Sequence, residues 1–104
     1  MYFDHRVFHH VALYRLKPGV TLDRVRSARE ELASLVETLP GVMHFTVTDN
    51  LSDQNGGFTM ALFSLFESRG AFEIFCRHPS YREVWQRLLQ PVVEECIVAE
   101  GEAG

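Results

Sequence analysis

Apolar and polar residues recur along the chain with periods that predict four strands and two helical regions. Residues 7–16, 42–50, 58–67 and 92–99 are rich in alternating, β-branched and aromatic positions, as is typical of strands. Residues 21–39 place apolar side chains three and four positions apart, which predicts an amphipathic helix. The stretch between the third and fourth strands has the same helical spacing. The predicted order is therefore β-α-β-β-α-β.

Capping and turn residues mark where these elements begin and end. Thr21 can accept a hydrogen bond from the first-turn amides and so cap the first helix. Pro79 disfavours helical geometry in the residue before it, so the second helical region is expected to break there. Ser80 with Glu83 three residues later predicts a capping box that restarts the helix. Residues 101–104 are expected to form a frayed tail.

This order of elements is that of a ferredoxin-like α+β fold, with a four-stranded antiparallel sheet and both helical regions on one face. The first and third strands carry large apolar side chains on both alternating sets, yet helices cover only one face of such a sheet. A second copy of the chain is the simplest cover, because two-fold homo-oligomers are the commonest. We therefore expect one domain over residues 1–104, with its core at about 7–99, that forms a homodimer through the sheet face.

Composition and charge narrow the class of partner. The 104 residues are 46% hydrophobic and 23% charged, which suits a single folded core. A formal net charge of −4 without a basic cluster argues against nucleic acid or an anionic membrane as the main partner. No apolar stretch has the length of a membrane span, and the first residues do not resemble a signal peptide. A cytoplasmic location is expected.

The cysteines and histidines are not spaced for metal or disulfide chemistry. Cys76 and Cys96 lie in apolar stretches without a CxxC pair, so inert burial is expected. The chain has five histidines, namely His5, His9, His10, His44 and His78. His9 and His10 are neighbours on a strand and point to opposite faces. Because phosphate-loop and dinucleotide motifs are also missing, no metal and no cofactor are expected.

Amphipathic side chains from the first strand and the second helical region define a candidate pocket on the helix-facing side of the sheet. His10 could be an acid-base group or a core residue bonded to a backbone carbonyl, and His78 could bond a carbonyl at the helix break or act as a pocket donor. Tyr14, Tyr81 and Trp85 each join an apolar body to one polar group, although the helical spacing of the last two is also typical of a core. The predicted lining consists of His10, Tyr14, Phe75, His78, Tyr81 and Trp85. If chemistry occurs there, His10 is the expected acid-base group and Tyr81 the donor to a carbonyl oxygen.

Three segments of the chain resemble the stress-responsive A/B barrel (Dabb) family. They are HHVALYRLKPG at residues 9–19, LPGV at residues 39–42, and the pair His78-Pro79. The resemblance covers about residues 8–99. It implies a dimeric α+β barrel, in which two ferredoxin-like sheets close face to face.

A plant polyketide-cyclase branch of that family closes rings with a tyrosine and a histidine in a segment that reads tyrosine, two apolar residues, then His-Pro-x-His. In this sequence Phe75 stands at the tyrosine position and Tyr81 at the position of the final histidine. Met60 replaces a second pocket histidine of that branch, whereas the strand-one histidine is kept as His10. The resemblance therefore implies the fold and the pocket, but not that branch's proton-transfer pair.

Three functions fit these patterns. The first is a homodimer of unestablished activity that binds a small hydrophobic or aromatic molecule in a pocket between sheet and helices. The alternative is a cofactor-free enzyme of the same fold, similar to a polyketide cyclase, an isomerase or a monooxygenase, and this rests on analogy of fold. A third is a stress-associated oligomer without a ligand. Two features discriminate among them: whether an enclosed pocket exists, and whether two titratable groups converge in it within hydrogen-bond reach.

Overall fold

The structure is a computed structural model that describes residues 6–103, in which four strands and three α-helices follow one another as the sequence pattern predicts. The elements are β1 (Val7–Leu16), α1 (Leu22–Val36), β2 (Val42–Asp49), β3 (Met60–Phe66), α2 (Arg69–Arg77), α3 (Pro79–Val84) and β4 (Val93–Ala103). A π-helical turn, Trp85–Leu89, continues α3. The break between α2 and α3 falls at His78, as expected from Pro79.

The strands form one antiparallel sheet in the order β2-β3-β1-β4, which is the ferredoxin-like arrangement. In the middle of the sheet, Val11 of β1 lies between Phe63 of β3 and Ala99 of β4. Of the two strands that flank β1, β3 therefore comes from the middle of the chain and β4 from its end. The predicted fold class is confirmed.

Helix α1 forms where the apolar spacing predicts it. The hydroxyl of Thr21 accepts a hydrogen bond from the amide of Arg24 at 3.2 Å, so Thr21 is the N-cap. The buried side of the helix consists of Val25, Ala28, Leu32 and Val36. These side chains pack on the sheet, because their spacing of three and four residues places them on one face of the helix.

One face of the sheet is covered by the helices. Phe8, Ala12 and Tyr14 of β1 are buried on this side and pack together with residues of α1, α2 and α3. Ser64 is a buried polar residue on the same face, and its hydroxyl donates to the carbonyl of His10 at 2.7 Å. That bond satisfies the hydroxyl in a setting where an unpaired one would be costly.

On the opposite face of the sheet, no helix of the described residues covers the strands. We call this surface the open face; it is formed by Val11, Leu13, Phe63, Leu65, Ile97 and Ala99. Phe63 is 45% exposed and Ile97 is 50% exposed. An apolar surface of this kind in the centre of a sheet is typical of an interaction site.

Two predicted element ends are wrong. Residues 101–103 are not a frayed tail, because β1 begins at Val7 and its first residues pair with them in β4, with Val7 opposite Ala103. The capping box at Ser80 does not form either. Helix α3 already begins at Pro79, whose missing amide hydrogen costs nothing in the first turn, and the ring Nδ1 of His78 accepts from the amide of Ser80 at 3.2 Å.

Candidate functional site

A cleft of about 560 Å³ lies between the β1–β4 half of the sheet and the helical segment from α2 to the π-helical turn. This volume falls in the range of roughly 300 to 1,000 Å³ that is common for small-molecule sites. Its lining consists of His10, Ala12, Tyr14, Cys76, Tyr81, Arg82, Trp85, Gln86, Gln90, Cys96 and Val98. The wall is thus mostly apolar or aromatic, with a small number of polar groups.

Two strands supply the floor of the cleft. Because side chains alternate along a strand, His10, Ala12 and Tyr14 all face the helices from β1. The pairing of β4 with β1 sets Val98 opposite Ala12 and Cys96 opposite Tyr14. Cross-strand partners lie on the same face, so β4 extends the floor beyond the edge of β1.

The helical wall consists of α3 and the π-helical turn. Tyr81 and Trp85 are four residues apart and so lie on one side of the helix. The backbone amide of Gln90 donates to the carbonyl of Trp85 at 2.9 Å. This bond joins residues five positions apart, so the turn is the wider one of a π-helix. Gln86 and Gln90 also line the cleft from this turn. Short π-helical segments occur often at functional sites.

His10 is held in place by a hydrogen bond and by an aromatic ring. Its Nδ1 donates to the carboxylate of Glu100 at 2.8 Å, and Glu100 is its partner in the β1–β4 pairing. The imidazole also stacks on Phe72 of α2, with 4.8 Å between ring centroids. A proton on Nδ1 leaves Nε2 able to accept, and among residues 6–103 this second nitrogen has no partner. His10 therefore has the arrangement of an oriented base.

Two tyrosine hydroxyls remain protonated in the cleft. Burial is the main cause that raises the pKa of both Tyr14 and Tyr81 above the ordinary tyrosine value, and their mutual repulsion as anions adds to it for Tyr14. Neither hydroxyl bonds to another group within residues 6–103, and neither oxygen is sealed away from solvent. Both are therefore available to donate a hydrogen bond to a ligand in the cleft.

The structure brings four of the six predicted site residues together and places two elsewhere. His10, Tyr14, Tyr81 and Trp85 line the one cleft. Phe75 does not reach it, since it lies on the buried side of α2 and is 4% exposed. Its ring contacts that of Tyr81 in a tilted arrangement, with 4.2 Å between ring centroids.

His78 is not in the cleft either. Its ring turns back onto its own backbone and caps α3 through the amide of Ser80. Of the two roles considered for this histidine, the structure therefore shows a structural one, but its ring accepts from an amide and does not donate to a carbonyl. His5 lies outside the described residues, and within residues 6–103 no three metal-ligating side chains come together.

The cysteines correct another expectation. Cys76 and Cys96 are free thiols that line the cleft and are exposed in the single chain, not buried. Partial burial nevertheless raises the pKa of both thiols, so they remain protonated. The pairing register of β1 and β4 places Cys96 opposite Tyr14 in the cleft. This register joins distant parts of the sequence, so the sequence pattern did not predict the position of Cys96.

Fold and cleft together define a small α+β protein of the ferredoxin-like class. Over residues 8–103 the chain matches the family described as the stress-responsive A/B barrel domain. The protein belongs to this Dabb family. A comparison with curated protein sequences gave no match. Within the described residues, no helix is both long and apolar enough to cross a membrane.

Solved structures share the fold over almost the full chain. A dimeric ferredoxin-like protein of unknown function from Thermobifida fusca has a TM-score of 0.83 at 20% identity and covers 99% of this chain and 96% of its own. The hydroxynitrile lyase from Passiflora edulis has a TM-score of 0.85 at 20% identity, covering 97% and 96%. A Dabb family protein from Mesorhizobium loti has a TM-score of 0.80 at 16% identity, covering 92% and 95%. At these identities the likeness shows the fold alone.

Proposed function

We propose that this protein is a cytoplasmic homodimer that binds a small hydrophobic or aromatic molecule in the cleft between β1, β4 and α3. The observation that carries the proposal is a cleft of about 560 Å³ with an aromatic and aliphatic wall and two phenol hydroxyls that have no partner among the described residues. Such a wall binds an apolar body, while a small number of polar groups fix its orientation. The free thiols are in keeping with a reducing compartment.

The open face supports the homodimer. Its exposed aromatic and aliphatic side chains lie in the middle of the sheet, and the exposure of such an apolar surface to water is unfavourable. The Thermobifida fusca protein of the same fold is described as dimeric. A second copy on the open face would leave the cleft free, because the cleft is on the other side of the sheet.

Trp85 provides a direct test of ligand binding. It is the one tryptophan in the sequence and it lines the cleft, so its fluorescence reports occupancy. We expect 4-phenyl-2-butanone, a neutral aromatic ketone, to give a saturable change. Val98→Phe adds a ring to the floor of the cleft and should weaken this binding by about tenfold or more, since an occupied cavity excludes the ligand.

The matched control is Ile74→Phe, which adds the same ring at an exposed position of α2 outside the cleft. This variant should bind like the wild type. A fluorescence signal that does not saturate with any of a panel of aromatic alcohols, ketones and acids would contradict the proposal and favour an oligomer without a ligand. Equal binding by Val98→Phe would show that the site lies elsewhere.

The second candidate is a cofactor-free enzyme of the polyketide cyclase, isomerase or monooxygenase kind, and the His10–Glu100 pair favours it. A carboxylate that fixes the imidazole tautomer beside a cleft is a frequent arrangement for a general base. In this reading His10 removes a proton next to a carbonyl, and Tyr81 donates to the oxygen as negative charge develops. The Passiflora edulis hydroxynitrile lyase is an enzyme with this fold.

Exchange of carbon-bound hydrogen separates the two candidates. In deuterated water, an enzyme of this kind should speed deuterium uptake next to the carbonyl of 4-phenyl-2-butanone, followed by nuclear magnetic resonance. His10→Gln should then lower the rate by about 100-fold or more, which is the usual contribution of a general base. Exchange at the buffer rate, together with normal binding, would leave the binding function and exclude this enzymatic one.

A further inference from the structure

Four polar groups that line the cleft are hydrogen-bond donors without a partner in the described part of the chain. The phenols of Tyr14 and Tyr81, the indole nitrogen of Trp85 and the guanidinium of Arg82 all lack a hydrogen-bond partner within residues 6–103. Indole and guanidinium groups can only donate, and a protonated phenol without a partner is free to do so. A ligand that satisfies this wall must therefore present acceptor oxygens.

Arg82 also gives the cleft a positive charge without a counterion. By contrast, Arg87, five residues further on, pairs with both Glu31 and Glu83. No carboxylate of residues 6–103 lines the cleft, and Glu100, whose partner His10 does line it, is already bonded to that histidine. The charge of Arg82 is thus uncompensated within the described part of the chain.

The geometry points to a ligand class: we infer that the bound molecule is an apolar or aromatic carboxylic acid whose carboxylate lies against Arg82. A guanidinium can donate two parallel hydrogen bonds to one carboxylate. The phenol hydroxyls of Tyr14 and Tyr81 then donate hydrogen bonds to further oxygens of the ligand. The apolar body of the ligand packs against Trp85 and Val98. This inference rests on the proposed binding function and adds the ionic group.

A pair of isosteric probes tests the inference. The acid 4-phenylbutyrate and its neutral amide 4-phenylbutyramide differ in charge but scarcely in shape, and Trp85 fluorescence reports the binding of each. We expect the wild type to bind the acid about tenfold more tightly. Because Arg82 is exposed, this preference should shrink when the ionic strength rises from about 0.01 M to about 1 M.

Arg82→Gln should bring the two affinities within about twofold by weakening only the acid, and Arg82→Lys should keep part of the preference because the charge stays. The control is Arg77→Gln, which removes the same charge from an exposed residue of α2 that does not line the cleft. This variant should behave like the wild type.

The outcomes separate the inference from the proposed function. Equal affinity of the wild type for acid and amide would overturn the inference and leave the binding function intact. An acid preference that persists in Arg82→Gln would overturn it as well, because another group would then hold the carboxylate. If neither probe nor any neutral aromatic compound binds, both the inference and the proposed function fail.

Discussion

Replacing Phe63 by aspartate tests whether the open face is a dimer interface. Phe63 is central in β3, between Val11 and Thr46 on the same face, and it is 45% exposed in the single chain. If a second copy covers this face, the aspartate is buried without a partner in both subunits. If water covers it, the aspartate is at least as well solvated as the phenylalanine. The substitution therefore destabilises the dimer in the first case, and it does not destabilise the protein in the second.

The structure sets the size of the effect. A fully covered phenylalanine buries roughly 150 to 250 Å², so an exposed fraction of 45% leaves about 90 Å² for a partner to cover. At about 25 cal/mol per Å² this is worth about 2.2 kcal/mol per subunit, or about 4.5 kcal/mol across a two-fold axis. Every 1.4 kcal/mol is tenfold in affinity, so the lost contact alone weakens the dimer by about 1,000-fold. The two buried carboxylates without partners destabilise the dimer by several kcal/mol more.

Light scattering and sedimentation at micromolar concentration measure this directly. We expect a wild-type dimer that buries a standard interface of ~1,600 Å², a weakened dimer for Phe63→Ala, and a monomeric or unfolded Phe63→Asp, with circular dichroism to separate those two states. Ile74→Asp, at a 65% exposed position of α2, should remain dimeric. A monomeric wild type, or a Phe63→Asp dimer of unchanged affinity, would refute the reasoning.

Two further substitutions test the cleft and the packing of α2. Because burial raises the pKa of Tyr14, the folded protein keeps a proton that the unfolded chain loses above about pH 10. The free energy of unfolding should therefore be at its full value below that pH and fall above it by up to about 1.4 kcal/mol per pH unit. Denaturant titrations at a series of pH values give the slope of stability against pH. Tyr14→Phe should roughly halve this slope above about pH 10, since Tyr81 behaves in the same way. An unchanged slope would contradict the burial of the Tyr14 phenol. Gly41 and Gly19 both have positive φ, of 82° and 83°, but a Cβ at Gly41 would lie 2.9 Å from that of Ala71, whereas nothing lies within 4 Å at Gly19. Urea unfolding should show Gly41→Ala to be less stable than Gly19→Ala by about 1 kcal/mol or more, and equal losses would contradict the contact.

Much of the fold is encoded locally and could be predicted. The spacing of Val25, Ala28 and Leu32 fixes which side of α1 is buried, and Thr21 marks its first turn, because these effects involve residues within a turn or two of each other. The same holds for the helix break at His78, which follows from the ring of Pro79. The order of strands and helices then predicts the ferredoxin-like class.

The candidate site could be predicted only in part. Alternation along a strand is a local rule, and it predicts that His10 and Tyr14 lie on the helix-facing side. The position of Phe75 and His78 in the second helical region predicts that they line the cleft, but side-chain direction at a helix break depends on packing and capping. The Dabb resemblance covered the same segment and did not resolve the direction of either side chain.

Local sequence patterns are thus enough to predict the set of elements, the buried side of α1 and the face of the sheet on which His10 lies. Tertiary structure alone decided the partners: Glu100 bonds to His10 from 90 positions further along the chain, and Cys96 comes to lie opposite Tyr14. It also extended β4 to Ala103, because the start of β1 offers those residues a strand to pair with. The physical reason is that hydrogen-bond register between distant strands is set by the packing of the whole sheet and not by any short stretch of sequence.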